Sequence, residues 1–273
     1  MAENDRPQIL LTNDDGIRSP GLWAAAEALS RLGFVNVAAP REQSSGAGRS
    51  MPPASDGAIL EREMVVGGKA WKVYAVGGTP AQAVLHALLE LMPRRPDLLV
   101  SGINYGENLG SGVTVSGTVG AAIEGAACGI PSLAVSLETD TSYHLSHSAE
   151  IDFTTAAHFT HLFAGMILSG LKVGDVDVLK VDVPSGATPE TKWRVTRLSR
   201  VRYFVPIRPE RERLEQPSGI GYRVDYANGE VERDSDIYAV QTLREVAVTP
   251  LSIDLTSRVE LALLEQDLRR RAR

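Results

Sequence analysis

The stretch Gln8-Ile9-Leu10-Leu11-Thr12-Asn13-Asp14-Asp15-Gly16 holds the start of a fold and of a site. Its first half is a short apolar run that opens after Pro7 and closes in a polar turn, the pattern of a buried strand. Ser19-Pro20 follows, with Ser19 as the expected N-cap and Pro20 at the first helical position. The helix is predicted to reach about Leu32, with Gly33 as its C-terminal glycine. Residues 35–39 form a second apolar run. Strand, helix and strand joined by short links make a βαβ unit, so the sheet is expected to be parallel.

Working outward, residues 41–56 are rich in Ser, Gly and Pro and read as a loop. Two strands, 59–66 and 70–76, flank Gly67-Gly68, a hairpin turn signal. Thr79-Pro80 opens a helix over 81–91, and 97–101 is the next core strand. A glycine-rich loop is predicted over 102–117. A small-residue helix over 118–128 follows, then a strand at 132–136, a helix over 151–168 and a strand at 176–183. The resulting fold class is α/β, a Rossmann-like, mostly parallel sheet flanked by helices.

After Pro184 the texture changes to many Arg, Glu, Pro and Tyr, with an Asn228-Gly229 turn. This divides the chain into a core, 1–184, and a hairpin-and-helix extension, 185–273, used in oligomerisation. Ser257-Arg258-Val259-Glu260 reads as a capping box for a last helix. That helix has an apolar stripe of Val259, Leu261, Leu263, Leu264 and Leu268, and it ends in arginines that suit the helix dipole.

Composition narrows the function. A net charge of −6 argues against a nucleic acid polymer as partner. No apolar run is long enough to span a membrane. The N-terminal residues 1–7 are polar, and the one cysteine, Cys128, has no partner for an internal disulfide and reads as a buried thiol. The expected location is cytoplasmic.

Asn13-Asp14-Asp15-Gly16 is the strongest chemical signal. In open α/β sheets, ligands bind beyond the carboxyl ends of strands. Two carboxylates gathered there repel unless a cation lies between them, and a hard divalent ion, Mg²⁺ or Mn²⁺, suits oxygen ligands. Two later loops at the same sheet edge add neutral oxygens: Ser44 or Ser45, and Asn104. Ser116-Gly117-Thr118 opens a helix whose free amides suit a phosphate; the competing reading is an ordinary N-cap. If Gly117 serves only a phosphate, Gly117→Ala leaves metal affinity near wild type. His144, His147, His158 and His161 are read as surface or core histidines rather than a zinc site.

Several motifs occur in order: Ile9–Ile17, Ala39-Pro40…Ser45-Gly46, Gly77-Gly78-Thr79-Pro80-Ala81, Val100–Gly110 and Ser116–Gly125. Together they resemble the SurE family of stationary-phase survival proteins that act as 5′-nucleotidases. The likeness runs over residues 8–137 and returns weakly at Ser235-Asp236 and Val248–Leu251.

The resemblance implies a metal-dependent phosphomonoesterase with one divalent cation on Asp14, Asp15, Ser45 and Asn104. Asp14, Asp15 and Asn104 are its expected catalytic residues, and Ser116, Gly117 and Thr118 its phosphate-binding residues. The expected substrate is a nucleoside monophosphate and the expected assembly a homodimer or homotetramer. Three positions depart from the family pattern: Gln82 in place of an acid, and Lys180 and Asp182 in place of asparagines.

Rival functions are a non-catalytic nucleotide or metal sensor and a broader phosphatase acting on 3′-nucleotides or polyphosphate. A covalent aspartyl-phosphate route is rejected, because Asn13 stands two residues before Asp15 where that chemistry needs a nucleophilic Asp.

Overall fold

The computed structural model describes residues 6–226 and 230–272. Its strands are β1 (Gln8–Thr12), β2 (Phe34–Pro40), β3 (Ile59–Val66), β4 (Lys69–Val76), β5 (Leu98–Tyr105), β6 (Ser132–Leu137), β7 (Val178–Val183), β8 (Trp193–Val195), β9 (Phe204–Ile207), β10 (Gly221–Val224) and β11 (Val246–Leu251). Its helices are α1 (Pro20–Leu29), α2 (Pro80–His86), α3 (Gly117–Ala127), α4 (Thr154–Leu168) and α5 (Leu261–Arg271).

One sheet runs β3-β4-β2-β1-β5-β6-β7-β11-β8. The stretch from β4 to β7 is parallel throughout, and β3 and β11 pair antiparallel to their neighbours β4 and β7. This is the expected α/β fold. Both faces are covered, as a parallel sheet requires. Ile9 and Leu11 of β1 face the apolar cluster that includes Leu22, Trp23, Phe159 and Phe163 from α1 and α4. Leu10, with the opposite parity, faces Val84, Val119, Ala122 and Ala126 from α2 and α3. The small residues of α3 let that helix lie close to the sheet.

Several boundaries differ from the sequence reading. Helix α1 stops at Leu29, because the N–H groups of Leu32 and Gly33 both turn back to the Leu29 carbonyl, at 2.8 and 3.2 Å. Gly33 does not take a positive φ, so it is not a left-handed cap. Strand β5 runs on through Asn104 to Tyr105, with a bulge between Ser101 and Asn104, so the expected loop begins later. Helix α4 starts at Thr154 rather than Ile151. The capping box at 257–260 does not form: α5 begins at Leu261, after Glu260, with no side-chain cap. Cys128 is partly exposed at the end of α3 rather than buried.

The segment after residue 184 supplies β8 and β11 to the main sheet, as well as the hairpin of β9 and β10 and the helix α5. The hairpin strands are joined across residues 208–220; the expected Asn228-Gly229 turn lies outside the described residues. Among the described residues, no helix is long and apolar enough to cross a membrane.

Candidate metal and phosphate site

Strand β1 ends beside β5, with Thr12 opposite Ser101. The chain winds outward from β1 through β2 and β4, then returns to β5 on the other side of β1. The crevice between the ends of β1 and β5 is therefore the switch point at which α/β sheets bind ligands. Asn13 closes the turn that follows β1: its Nδ2 donates to the Gly16 carbonyl at 3.1 Å, and its Oδ1 accepts the Gly16 N–H at 3.2 Å. The next two carboxylates are left to the crevice.

Both carboxylates are buried, Asp14 at 4% exposure and Asp15 at 1%. Asp14 accepts the Thr118 hydroxyl and lies against the N–H groups of Gly117 and Thr118, at the N-terminus of α3. Asp15 accepts Gln43 Nε2 at 3.1 Å and the Tyr105 N–H at 3.2 Å. Burial pushes the Asp14 carboxyl above its ordinary value. Burial first, and then the charge of Asp14, push Asp15 well above its own. These donors cannot fully compensate two adjacent charges.

The other candidate residues converge on the same place. Gln43 Nε2 also donates to Ser45 Oγ at 3.0 Å, so Ser45 and Asp15 share one amide group. Asn104 spends its amide nitrogen on the carbonyls of Tyr105 and Gly106, at 3.1 and 2.7 Å, which leaves its oxygen for a cation. Buried, under-compensated carboxylates with a hydroxyl and an amide oxygen fit a hard divalent ion.

Ser116 acts through its hydroxyl as the N-cap of α3, accepting the Val119 N–H at 3.1 Å. Gly117 has a reason that spacing alone does not carry. A Cβ there would lie 2.7 Å from Asp14 Cβ and 2.8 Å from Asp14 Oδ2. The glycine makes room for Asp14 itself, so the expectation that Gly117→Ala spares the metal site is revised.

The structure also adds residues that motif reading left out. The His144 carbonyl accepts Gln43 Nε2 at 2.7 Å, and His147 Nε2 meets the Asp15 carbonyl at 2.8 Å. Segment 144–147 thus backs Asp15 from the far side. His161 sits elsewhere, against the Ala28 carbonyl at 3.0 Å. Among the described residues, no three His, Cys, Asp or Glu side chains gather as a metal cluster, so the four histidines do not make a zinc site.

The three departures have structural partners. Gln82 completes a reciprocal cap with Thr79 at the start of α2. Lys180 is fully buried and donates to Asp182, to Asp236 at 3.2 Å and to the Asn108 carbonyl at 2.9 Å. Burial works against the charge of Lys180, but the two carboxylates outweigh it and hold the ammonium protonated. Asp182 and Asp236 in turn accept the N–H groups of Asn108 and Gly110, at 2.7 and 3.0 Å. The buried ions therefore clamp the loop that follows Asn104.

Glu107 lies in that loop at 3% exposure, with Oε2 lacking a partner among the described residues. Burial pushes its carboxyl up from 4.5 to about 7. A raised folded value means that the folded chain holds the proton more tightly than the unfolded one, so this group costs stability as pH climbs from about 4.5 to 7. Glu107→Gln is expected to raise the melting temperature at pH 8 and to change it little at pH 4.5. The difference between those values is worth roughly 3 kcal/mol at most. Thermal melts at the two pH values check this, and an equal shift at both contradicts it.

The fold and the crevice define a class: a doubly wound α/β protein with two buried carboxylates at its switch point. Residues 9–204 match the family model described as Survival protein SurE. The chain is 45% identical over 264 residues to a protein of Thermococcus gammatolerans named 5'-nucleotidase SurE, covering 96% of each. A protein of the same name from Rubrobacter xylanophilus is 40% identical over 266 residues, covering 94% of this chain and 96% of that one. The crystal structure of the SurE protein from Aquifex aeolicus superposes with a TM-score of 0.73 at 32% identity, covering 96% of this chain and all of that one. The chain belongs to the SurE family.

Proposed function

We propose that the chain hydrolyses nucleoside 5′-monophosphates to nucleoside and phosphate, with one divalent cation, Mg²⁺ or Mn²⁺, held by Asp14, Asp15, Ser45 and Asn104. One observation carries the reading: two adjacent carboxylates, both buried and both raised in pKa, stand at the switch point against the N-terminus of α3. The names of the relatives, 5'-nucleotidase SurE, support the reaction.

A divalent cation at that point supplies charge neutralisation to the phosphoryl group. The residues do the rest. Thr118 and the amides of Gly117 and Thr118 fix Asp14, and the positive end of α3 favours the phosphoryl oxygens. Gln43 and the Tyr105 N–H hold Asp15, which orients the attacking water. The water oxygen bonds to phosphorus as the bond to the 5′-oxygen breaks, and the water's proton passes by way of Asp15 to the departing 5′-oxygen. Asn104 positions cation and substrate. The test is phosphate release from AMP. Release that stops with EDTA and returns with Mn²⁺ or Mg²⁺ supports the reading. Tight nucleotide binding without turnover in any divalent cation favours a sensor instead.

We further assign a cytoplasmic location and an assembly of at least two chains. Val259, Leu261, Leu263, Leu264 and Leu268 are all exposed, and no residue of α5 is buried. Water penalises such an uncovered apolar stripe. Light scattering at micromolar concentration is expected to give a multiple of 29.3 kDa, and deletion of residues 252–273 to lower it. A 29.3 kDa particle contradicts the assembly.

A further inference from the structure

A cavity of about 230 Å³ opens on the same sheet edge, lined by Arg41, Ser44, Asp56, Val76, Gly77 and Gly78. It sits where β2 and β4 end side by side, Pro40 opposite Val76. Strand β4 lies two places from β1, about 10 Å away at the usual spacing of strands. The cavity shares a wall with the acidic crevice: the Ser44 N–H donates to the Asp14 carbonyl at 2.7 Å, and Ser45 is the next residue. It is smaller than the roughly 300–1,000 Å³ that takes a whole drug-sized ligand, so it suits one part of a ligand whose other part lies at Asp14 and Asp15.

The lining is polar and pre-set. Asp56 accepts Arg41 Nη2 at 2.8 Å and the Ala58 N–H at 3.0 Å. A Cβ on Gly77 would lie 1.7 Å from Asp56 Oδ1, so only glycine lets the carboxylate sit there. The Gly77 N–H and carbonyl are tied to Ala58 and Gly57, at 2.8 and 2.9 Å. Gln82 braces the same wall by accepting the Ser55 hydroxyl at 2.7 Å and donating to the Pro52 carbonyl at 3.0 Å. A carboxylate has about four acceptor sites, and two hydrogen bonds leave room for a diol. An acidic residue gripping ribose hydroxyls is a recurrent device in nucleotide-binding α/β folds.

We propose that this cavity takes the nucleoside end of the substrate, with Asp56 accepting hydrogen bonds from the ribose hydroxyls while the phosphate lies at Asp14 and Asp15. The proposal rests on the nucleotidase reading. It gives the Gly77–Ala81 motif and Gln82 a role in choosing nucleotides over other phosphomonoesters.

The experiment compares AMP with p-nitrophenyl phosphate, which has no ribose, in wild type, Asp56→Ala and Asp56→Asn. Asp56→Asn keeps an acceptor for the Ala58 N–H and guards against a folding defect. Both variants are expected to raise KM for AMP at least about tenfold, the loss of a charged hydrogen bond, with kcat within about twofold and p-nitrophenyl phosphate kinetics close to wild type. Calorimetric titration with adenosine, which needs no turnover, is expected to show binding weakened to the same degree. That titration reads the cavity even if the nucleotidase reading fails. An unchanged KM for AMP in both variants, an equal loss with both substrates, or a wild type that binds no adenosine would overturn the proposal.

Discussion

Asp14→Asn and Asp15→Asn are each expected to lower kcat/KM for AMP by more than the 10–100-fold that loss of an outer partner of a metal site typically costs. The same substitutions are expected to stabilise the metal-free protein at pH 7. The carboxyl of Asp15 is raised by burial and then by the charge of Asp14, and that of Asp14 by burial. A raised carboxyl means that the folded state binds more protons than the unfolded state above pH 4. The pair therefore costs stability progressively as pH rises from about 4 through the raised values, and the cost is complete only above them. Asparagine removes one charge and keeps the shape. The gain is a few degrees in melting temperature at pH 7, since 1 kcal/mol moves a chain of this size by roughly 2–4 °C, and it vanishes near pH 4. Calorimetry of EDTA-treated protein at the two pH values measures it. Loss of activity together with a lower melting temperature at pH 7 would mean that the pair is a structural element rather than a site held under strain.

The second large effect is expected from Gly117→Ala. The added methyl would stand 2.7 Å from Asp14 Cβ. Asp14 is buried and tied to Thr118, so it cannot swing clear without leaving its partners. A displacement of about 1 Å in a reacting site costs roughly 10²-fold in rate. The predicted outcome is a fall of that order in kcat/KM, with Mn²⁺ affinity at least about tenfold weaker. Mn²⁺ titration followed by calorimetry reads the affinity without turnover. If activity falls while Mn²⁺ affinity stays at the wild-type value, the glycine serves the phosphate alone and Asp14 is not displaced.

The sequence already carried the parts of this molecule that rest on local chemistry. An apolar run stopped by Asn13-Asp14-Asp15-Gly16, then Ser19-Pro20, was enough for β1, the turn and α1, because strand burial, turn formation and capping act within a few residues. Gly67-Gly68 marked the hairpin of β3 and β4 for the same reason, and both glycines take positive φ, at 57° and 75°. The candidate residues that follow β1 and β2 and that close β5 lie together because these parallel strands send their carboxyl ends to one edge.

Contacts between distant segments were not legible. Gln43 reaches Asp15 across 28 positions and His144 across 101; no periodicity encodes such a pair. The role of Gly117 depends on where Asp14 sits, which only the packed α3 decides. Ser257 and Glu260 have the spacing of a capping box but not the geometry; among the described residues none of α5 is buried, so little packing sets where the helix begins. Lys180 and Asp182 looked like departures from a pattern. Folding brings Asp236 to them, and the three become a buried charged clamp on the loop after Asn104.

The central claim is that Asp14, Asp15, Ser45 and Asn104 form one cation site at the switch point. Anomalous diffraction from a crystal grown with Mn²⁺ tests it most directly. The account predicts one strong peak within bonding distance of the carboxylates of Asp14 and Asp15, with Ser45 Oγ and Asn104 Oδ1 facing it. A crystal with no peak there at saturating Mn²⁺, or with its strong peak on other residues, contradicts the account.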